Sequence, residues 1–163
     1  MSSSASLIEY PPITGNDEIS PILKKIKNAD AIILGSPIYL GSITGEMKSF
    51  MERLIFPYLV YDENYSSLFP KRISVGLIYT FRVNEQKLEQ TKWKESLKYN
   101  EFLVERFFGK AESLFVTDTY QFDDYSKYVA TAFNVNEKAK RKKEVFPQDC
   151  KKAFELGKRL VQV

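Results

Sequence analysis

The chain has 163 residues, 44% hydrophobic and 14% aromatic, with a net charge of +3. That is enough for one domain with a core under a mixed-charge surface, and it does not resemble a nucleic-acid or membrane footprint. There is no histidine and a single cysteine, Cys150, which excludes a Ser-His-Asp triad, a histidine metal site, an internal disulfide and a four-thiolate iron–sulfur cluster.

Redox chemistry in this chain therefore needs an organic cofactor. No apolar run approaches the roughly 20 residues that span a bilayer. The opening MSSSASLIEYPP has neither a basic start nor a continuous apolar stretch, so no membrane association and a cytoplasmic location are expected.

Residues 1–15 read as an irregular lead-in and 16–163 as one domain. From Asp17 to Asn28, Ile19, Ile22, Leu23 and Ile26 fall at helical spacing, with Asp17 or Ser20 able to cap the start. Ala31 to Leu34 is a short apolar run that suits a strand buried on both faces. A Gly- and Ser-bearing loop, GSPIYLGSITG over 35–45, follows, and then an amphipathic helix carrying Met47, Phe50, Met51, Leu54 and Ile55.

After a polar-aromatic loop over 58–71, RISVGLIYT gives a second buried strand. One long helix is expected from Asn84 to Phe108, stopped by Gly109. SLFVTDTY is a third strand. An aromatic loop holds Tyr120, Phe122, Tyr125 and Tyr128, whose role the sequence leaves open between packing, ligand cover and subunit contact. A charged helix capped by Asn136 follows, and its KAKRKK run (138–143) reads as a solvated face. A last helix from Pro147 places Cys150, Ala153, Phe154, Gly157, Leu160 and Val161 on one face, with Cys150 as a small core residue. Alternation of this kind predicts an α/β fold with a parallel sheet.

In open parallel sheets ligands bind outside the carboxyl ends of the strands, where 35–45 lies. Its glycines allow close backbone approach, and Tyr39 and Leu40 offer surface for a ring. The same composition also suits a tight strand-to-helix turn, and pattern alone does not choose. Neither a GxxxxGK[ST] nor a GxGxxG motif is present.

ADAIILGSPIYLGSITGEMKSFMERL resembles the third-strand, loop and helix segment of the NAD(P)H-dependent FMN reductase and iron–sulfur flavoprotein families, most specifically at SPIY-x-GS-x-TG-x-MK. The likeness continues more loosely to the C-terminus. It implies a flavodoxin-like fold in which Ser36, Pro37, Ile38, Tyr39, Leu40, Gly41 and Ser42 line the FMN ring and Thr80 and Phe81 approach from the other side. It also implies reducing equivalents passing from NAD(P)H through FMN to a small-molecule electron acceptor, with no catalytic side chain and no metal ligand.

Residues 1–16 supply neither the family's first strand and phosphate-holding turn nor its second strand, and the cysteine cluster of the iron–sulfur branch is absent. The expectation is a truncated domain retaining strands equivalent to 3-4-5, with weakened FMN binding and no iron–sulfur cluster. The other reading of the gap is a short variant whose exposed edge strand pairs in a homo-oligomer. A non-catalytic scaffold or oligomerisation module is the alternative function.

Overall fold

The computed structural model describes residues 17–162; the expected lead-in at 1–15 lies outside them. A four-stranded sheet has the order β2-β1-β3-β4, with β1 at Ala31–Tyr39, β2 at Ser42–Ile43, β3 at Ser74–Thr80 and β4 at Ala111–Val116. β1, β3 and β4 are parallel neighbours, and β2 folds back antiparallel on the end of β1. Helices α1 (Ser20–Ile26), α2 (Gly45–Ile55), α3 (Glu85–Glu89), α4 (Trp93–Phe107), α5 (Val135–Glu144) and α6 (Phe146–Val161) complete the fold. The α/β class and the parallel run expected of strands 3-4-5 are present. Among the described residues no helix is long and apolar enough to cross a membrane.

The two faces of the sheet are unequal. Val75, Leu77 and Tyr79 of β3 point into the main core with Leu23, Leu54, Leu97 and Val104. Gly76 faces the other way, where an added Cβ would lie 2.8 Å from Leu160 and 3.2 Å from Ile33. α6 is thus seated close to the sheet by the missing side chain, and it buries Leu156 and Leu160 there.

Several expectations are corrected. β1 is not buried on both faces; it alternates, with Leu34, Ser36 and Ile38 inside and Ile33 48% exposed. It also runs through Tyr39, so half of the expected loop is strand. The single helix over 84–108 is two, because Thr91 turns the chain by donating from Oγ1 to Leu88 O and accepting from Trp93 N. β4 starts and ends earlier than SLFVTDTY. The cap of α5 is Asn134, whose side chain accepts from Asn136 N and Glu137 N.

Cys150 and Phe154 are exposed rather than core, since the buried stripe of α6 runs through Leu156 and Leu160. The KAKRKK run is not wholly solvated either. Lys138 is buried, and Arg141 pairs at 2.7 Å with the buried Asp149. In the aromatic loop Tyr125 is buried and its hydroxyl accepts from Gln121 N at 3.0 Å, while the Phe122 and Tyr128 rings stack 4.1 Å apart.

Asp17 ties α1 to α2. Its carboxylate accepts from Ser20 N and Oγ and from Arg53 Nη1 at 2.6 Å. The Arg53 guanidinium and the Ser20 bonds hold this carboxyl well below its ordinary value of 3.8. The folded state therefore takes up the Asp17 proton at lower pH than the unfolded chain, so the tether stabilises fully above about pH 3.8 and is lost below it. The thermal midpoint of the wild type is expected to exceed that of Asp17→Asn at neutral pH, with the gap closing as pH falls below 3.8; a constant gap would exclude the ionic contribution.

Gly109 ends α4 with φ +148°, and a Cβ there would lie 2.4 Å from Ile73 O. Gly109→Ala is expected to cost about 2 kcal/mol or more in urea unfolding, because backbone rather than a movable side chain opposes it.

Candidate functional site

The site is built where β1 outruns its parallel pairing. Pro37 is the last β1 residue in register with β3, opposite Thr80. Beyond it Ile38 and Tyr39 pair back with Ile43 and Ser42. Leu40 (φ +52°) and Gly41 (φ +83°) make the turn, and two central residues with positive φ suit the twist of a two-residue hairpin.

Gly41 is buried against Trp93 of α4, where a Cβ would come within 2.5 Å of Nε1. Ser36 is 4% exposed and faces inward; its hydroxyl accepts from Thr44 N at 3.1 Å and donates to Pro37 O at 2.8 Å. Thr44 in turn caps α2 by accepting from Met47 N. The hairpin is thereby fixed on both sides, and it leaves Tyr39 62% exposed and Leu40 fully exposed.

The opposite wall comes from the segments that follow β3 and β4, which remain zippered past the strand ends. Phe81 N donates to Val116 O, Thr119 N and Oγ1 both donate to Phe81 O, and Asp118 N donates to Val83 O. Between the hairpin and this wall lies a cavity of about 520 Å³, within the range of small-molecule sites.

Six of the sequence-derived residues line it: Pro37, Ile38, Tyr39, Leu40, Thr80 and Phe81. Ser36, Gly41 and Ser42 do not. The first two hold the hairpin from behind, and Ser42 sits on the exposed side of β2. Tyr120, from the aromatic loop whose role the sequence left open, also lines the cavity, as do Arg82, Trp93, Thr119 and Gln121, which were not singled out as site residues. Arg82 and Thr119 lie two and three residues past the ends of β3 and β4, and closeness to the carboxyl end of a strand was a usable signal. Trp93 was not findable locally, because its place depends on the break before α4.

Tyr39, Trp93 and Tyr120 bring aromatic surface to the cavity, and Thr80, Thr119 and Gln121 bring small polar groups. Arg82 is the one cation among the described lining residues. Deeper in β3, burial pushes the Tyr79 phenol up to about 12, so that group stays neutral at ordinary pH and serves packing against Phe115. A second cavity of about 480 Å³ lies between α2 and α4, but it holds none of the candidate site residues. Among the described residues no cluster of Cys, Asp or Glu could hold a metal ion.

Residues 8–79 match the family described as NADPH-dependent FMN reductase. An iron–sulfur flavoprotein of Methanocaldococcus jannaschii is 51% identical over 37 residues, which is 23% of this chain and 19% of that protein. An iron–sulfur flavoprotein of Archaeoglobus fulgidus is 43% identical over 37 residues, 23% of this chain and 18% of that one. The matched segments thus span about a fifth of each relative's length.

The fold resembles that of the NAD(P)H:quinone oxidoreductase from Methanothermobacter marburgensis, with a TM-score of 0.53 over 67% of this chain and 56% of that one at 17% identity. That likeness concerns the fold alone. The hairpin and the strands β1 and β3 lie within or at the edge of the segment 8–79 that is similar to the NADPH-dependent FMN reductase family, and the chain has a flavodoxin-like fold.

Proposed function

We propose that the cavity holds the isoalloxazine ring of FMN and that the protein passes reducing equivalents from NAD(P)H to a small acceptor. The observation that carries this reading is the exposure of Tyr39 and Leu40 at the mouth of a cavity faced by Trp93 and Tyr120. Large apolar side chains fixed in solvent beside aromatic faces favour a flat, mostly apolar ligand. The family match over 8–79 supports FMN as that ligand.

The residues present fit the ring. The rings of Tyr39, Trp93 and Tyr120 offer stacking surface, and Phe81, 1% exposed, backs the cavity floor. Thr80, Thr119 and Gln121 can donate or accept at a heteroatom edge. FMN, when bound, supplies hydride acceptance and onward electron transfer itself, so the protein needs to orient the ring and exclude water rather than provide a base. The phosphate is served less well, with Arg82 as the one cation in the described lining.

The second reading, a non-catalytic scaffold that self-associates, rests on β1. Among the described residues its outer edge carries only β2, at Ile38 and Tyr39, and Ile33 lies 48% exposed on the strand.

Titration of the full chain with riboflavin and FMN, followed by flavin fluorescence, separates the readings. Both flavins are expected to bind, with affinities within about tenfold of each other because the ring dominates, and NADPH or NADH is expected to bleach the bound flavin's visible absorbance anaerobically. Absence of binding together with a sedimenting dimer would favour the scaffold. Stoichiometric FMN retained through gel filtration while riboflavin washes out would show a strong phosphate anchor and overturn the ring-dominated account.

Gly41→Val places a side chain against Trp93 at a left-handed position. It is expected to lower riboflavin affinity by about tenfold or more by displacing the hairpin; unchanged affinity would remove the hairpin from the site.

A further inference from the structure

The cavity wall formed by the segments after β3 and β4 is fastened from behind by one side chain that the flavin reading does not use. Lys138, on α5, is 3% exposed. Its ammonium donates to Asp118 Oδ1 at 2.6 Å, Arg82 O at 2.9 Å and Thr119 O at 3.3 Å, and it lies 4.9 Å from the centre of the Phe133 ring. A lysine ammonium has three donors, and all three are placed.

Two of the three acceptors are main-chain carbonyls of residues that line the cavity, Arg82 and Thr119. The third, Asp118, immediately precedes Thr119 and has φ +53°, a conformation uncommon for a residue with a side chain. The neighbouring lysines of the 138–143 run remain in solvent. Burying one of them costs desolvation that only a specific set of partners offsets.

We propose that Lys138 is a positioning residue for the cavity: by holding the Arg82 and Thr119 carbonyls to one ammonium it fixes how the two segments stand and so the space a flat ring can occupy. The ligand in this statement rests on the flavin reading; the fixing of the two segments does not.

The test uses the full chain with Lys138→Met, and Lys140→Met on the exposed side of the same helix as control. Two readouts are taken, amide hydrogen exchange without ligand and riboflavin affinity. In Lys138→Met the Asp118 and Thr119 amides, which donate to Val83 O and Phe81 O, are expected to exchange about tenfold faster or more, while those of Val75 and Leu77 in β3 keep their rates. Riboflavin affinity is expected to fall by about tenfold, and Lys140→Met to change neither.

The proposal is overturned if exchange at 118 and 119 is unchanged, or if the β3 amides accelerate in step, which is general destabilisation. It is also overturned if the loops loosen while riboflavin affinity stays within about twofold. If the wild type binds no riboflavin, the flavin reading fails, and exchange alone decides whether Lys138 fixes the wall. Should Lys138→Met not fold, Asp118→Asn, which keeps the side-chain shape and removes the countercharge, is held to the same criteria.

Discussion

The parallel register of β1 against β3 is the constraint on which the site depends. Because Ala31 pairs with Ser74 and each following residue keeps step, Pro37 comes level with Thr80. A proline has no N–H to offer, so it is tolerated at a strand position with a free side. Past that point β1 has no partner on the β3 side, and its last two residues turn to β2 instead. The hairpin then needs positive φ at both central positions. Gly41 meets this without steric cost, whereas Leu40 carries the local backbone strain of a side chain at positive φ and holds that side chain in solvent. The exposed leucine is a consequence of strand register.

Charge completes what the backbone begins on the other wall. Two pairs with one buried member each, Lys138 with Asp118 and Asp149 with Arg141, connect α5 to the segment after β4 and to α6. Isolated buried charges are costly, and removal of one partner leaves the other uncompensated. Pairs such as Lys48 with Glu52, half exposed on α2, contribute little by comparison. The difference is one of specification. An apolar contact could pack α5 against the sheet in several ways, whereas one ammonium with three named acceptors admits one arrangement.

What the sequence disclosed followed the range of the interactions involved. Apolar period and caps are local, so Met47, Met51 and Leu54 marked α2, and the Val75 to Leu77 stretch marked β3. SPIY-x-GS-x-TG-x-MK drew attention by likeness to the hairpin that lines the cavity. The hairpin was hidden because Gly and Ser compose loops and two-residue turns alike. Its strand character is set by pairing across Ile38 and Ile43. The break before α4 depended on Thr91 bonding its own neighbours, a choice that a propensity reading does not distinguish from a helical threonine. Cys150, Phe154 and Val161 lie on an exposed side of α6, because the face expected from spacing is rotated away from the buried stripe of Asp149, Leu156 and Leu160. Lys138 was one of five cations in a charged run, and only Asp118, brought near by the fold, distinguishes it.

The division of labour between walls bears on how such a cavity would hold a ring. Fully burying a leucine or a larger apolar side chain is worth about 1.5–3 kcal/mol, so Tyr39 and Leu40 would be expected to collapse onto the protein if the backbone let them. It does not: Gly41 is seated on Trp93, Ser36 holds Thr44, and Thr44 caps α2. The apolar faces are kept apart by covalent and hydrogen-bond geometry before any ligand arrives. Under the flavin reading, a ring entering this space gains burial without first ordering the side chains that receive it, which is the usual cost of association. With one cation in the described lining, that gain is carried by area and stacking rather than by an ion pair, and so is little affected by salt. Rigidity of the hairpin substitutes here for strength of any single contact.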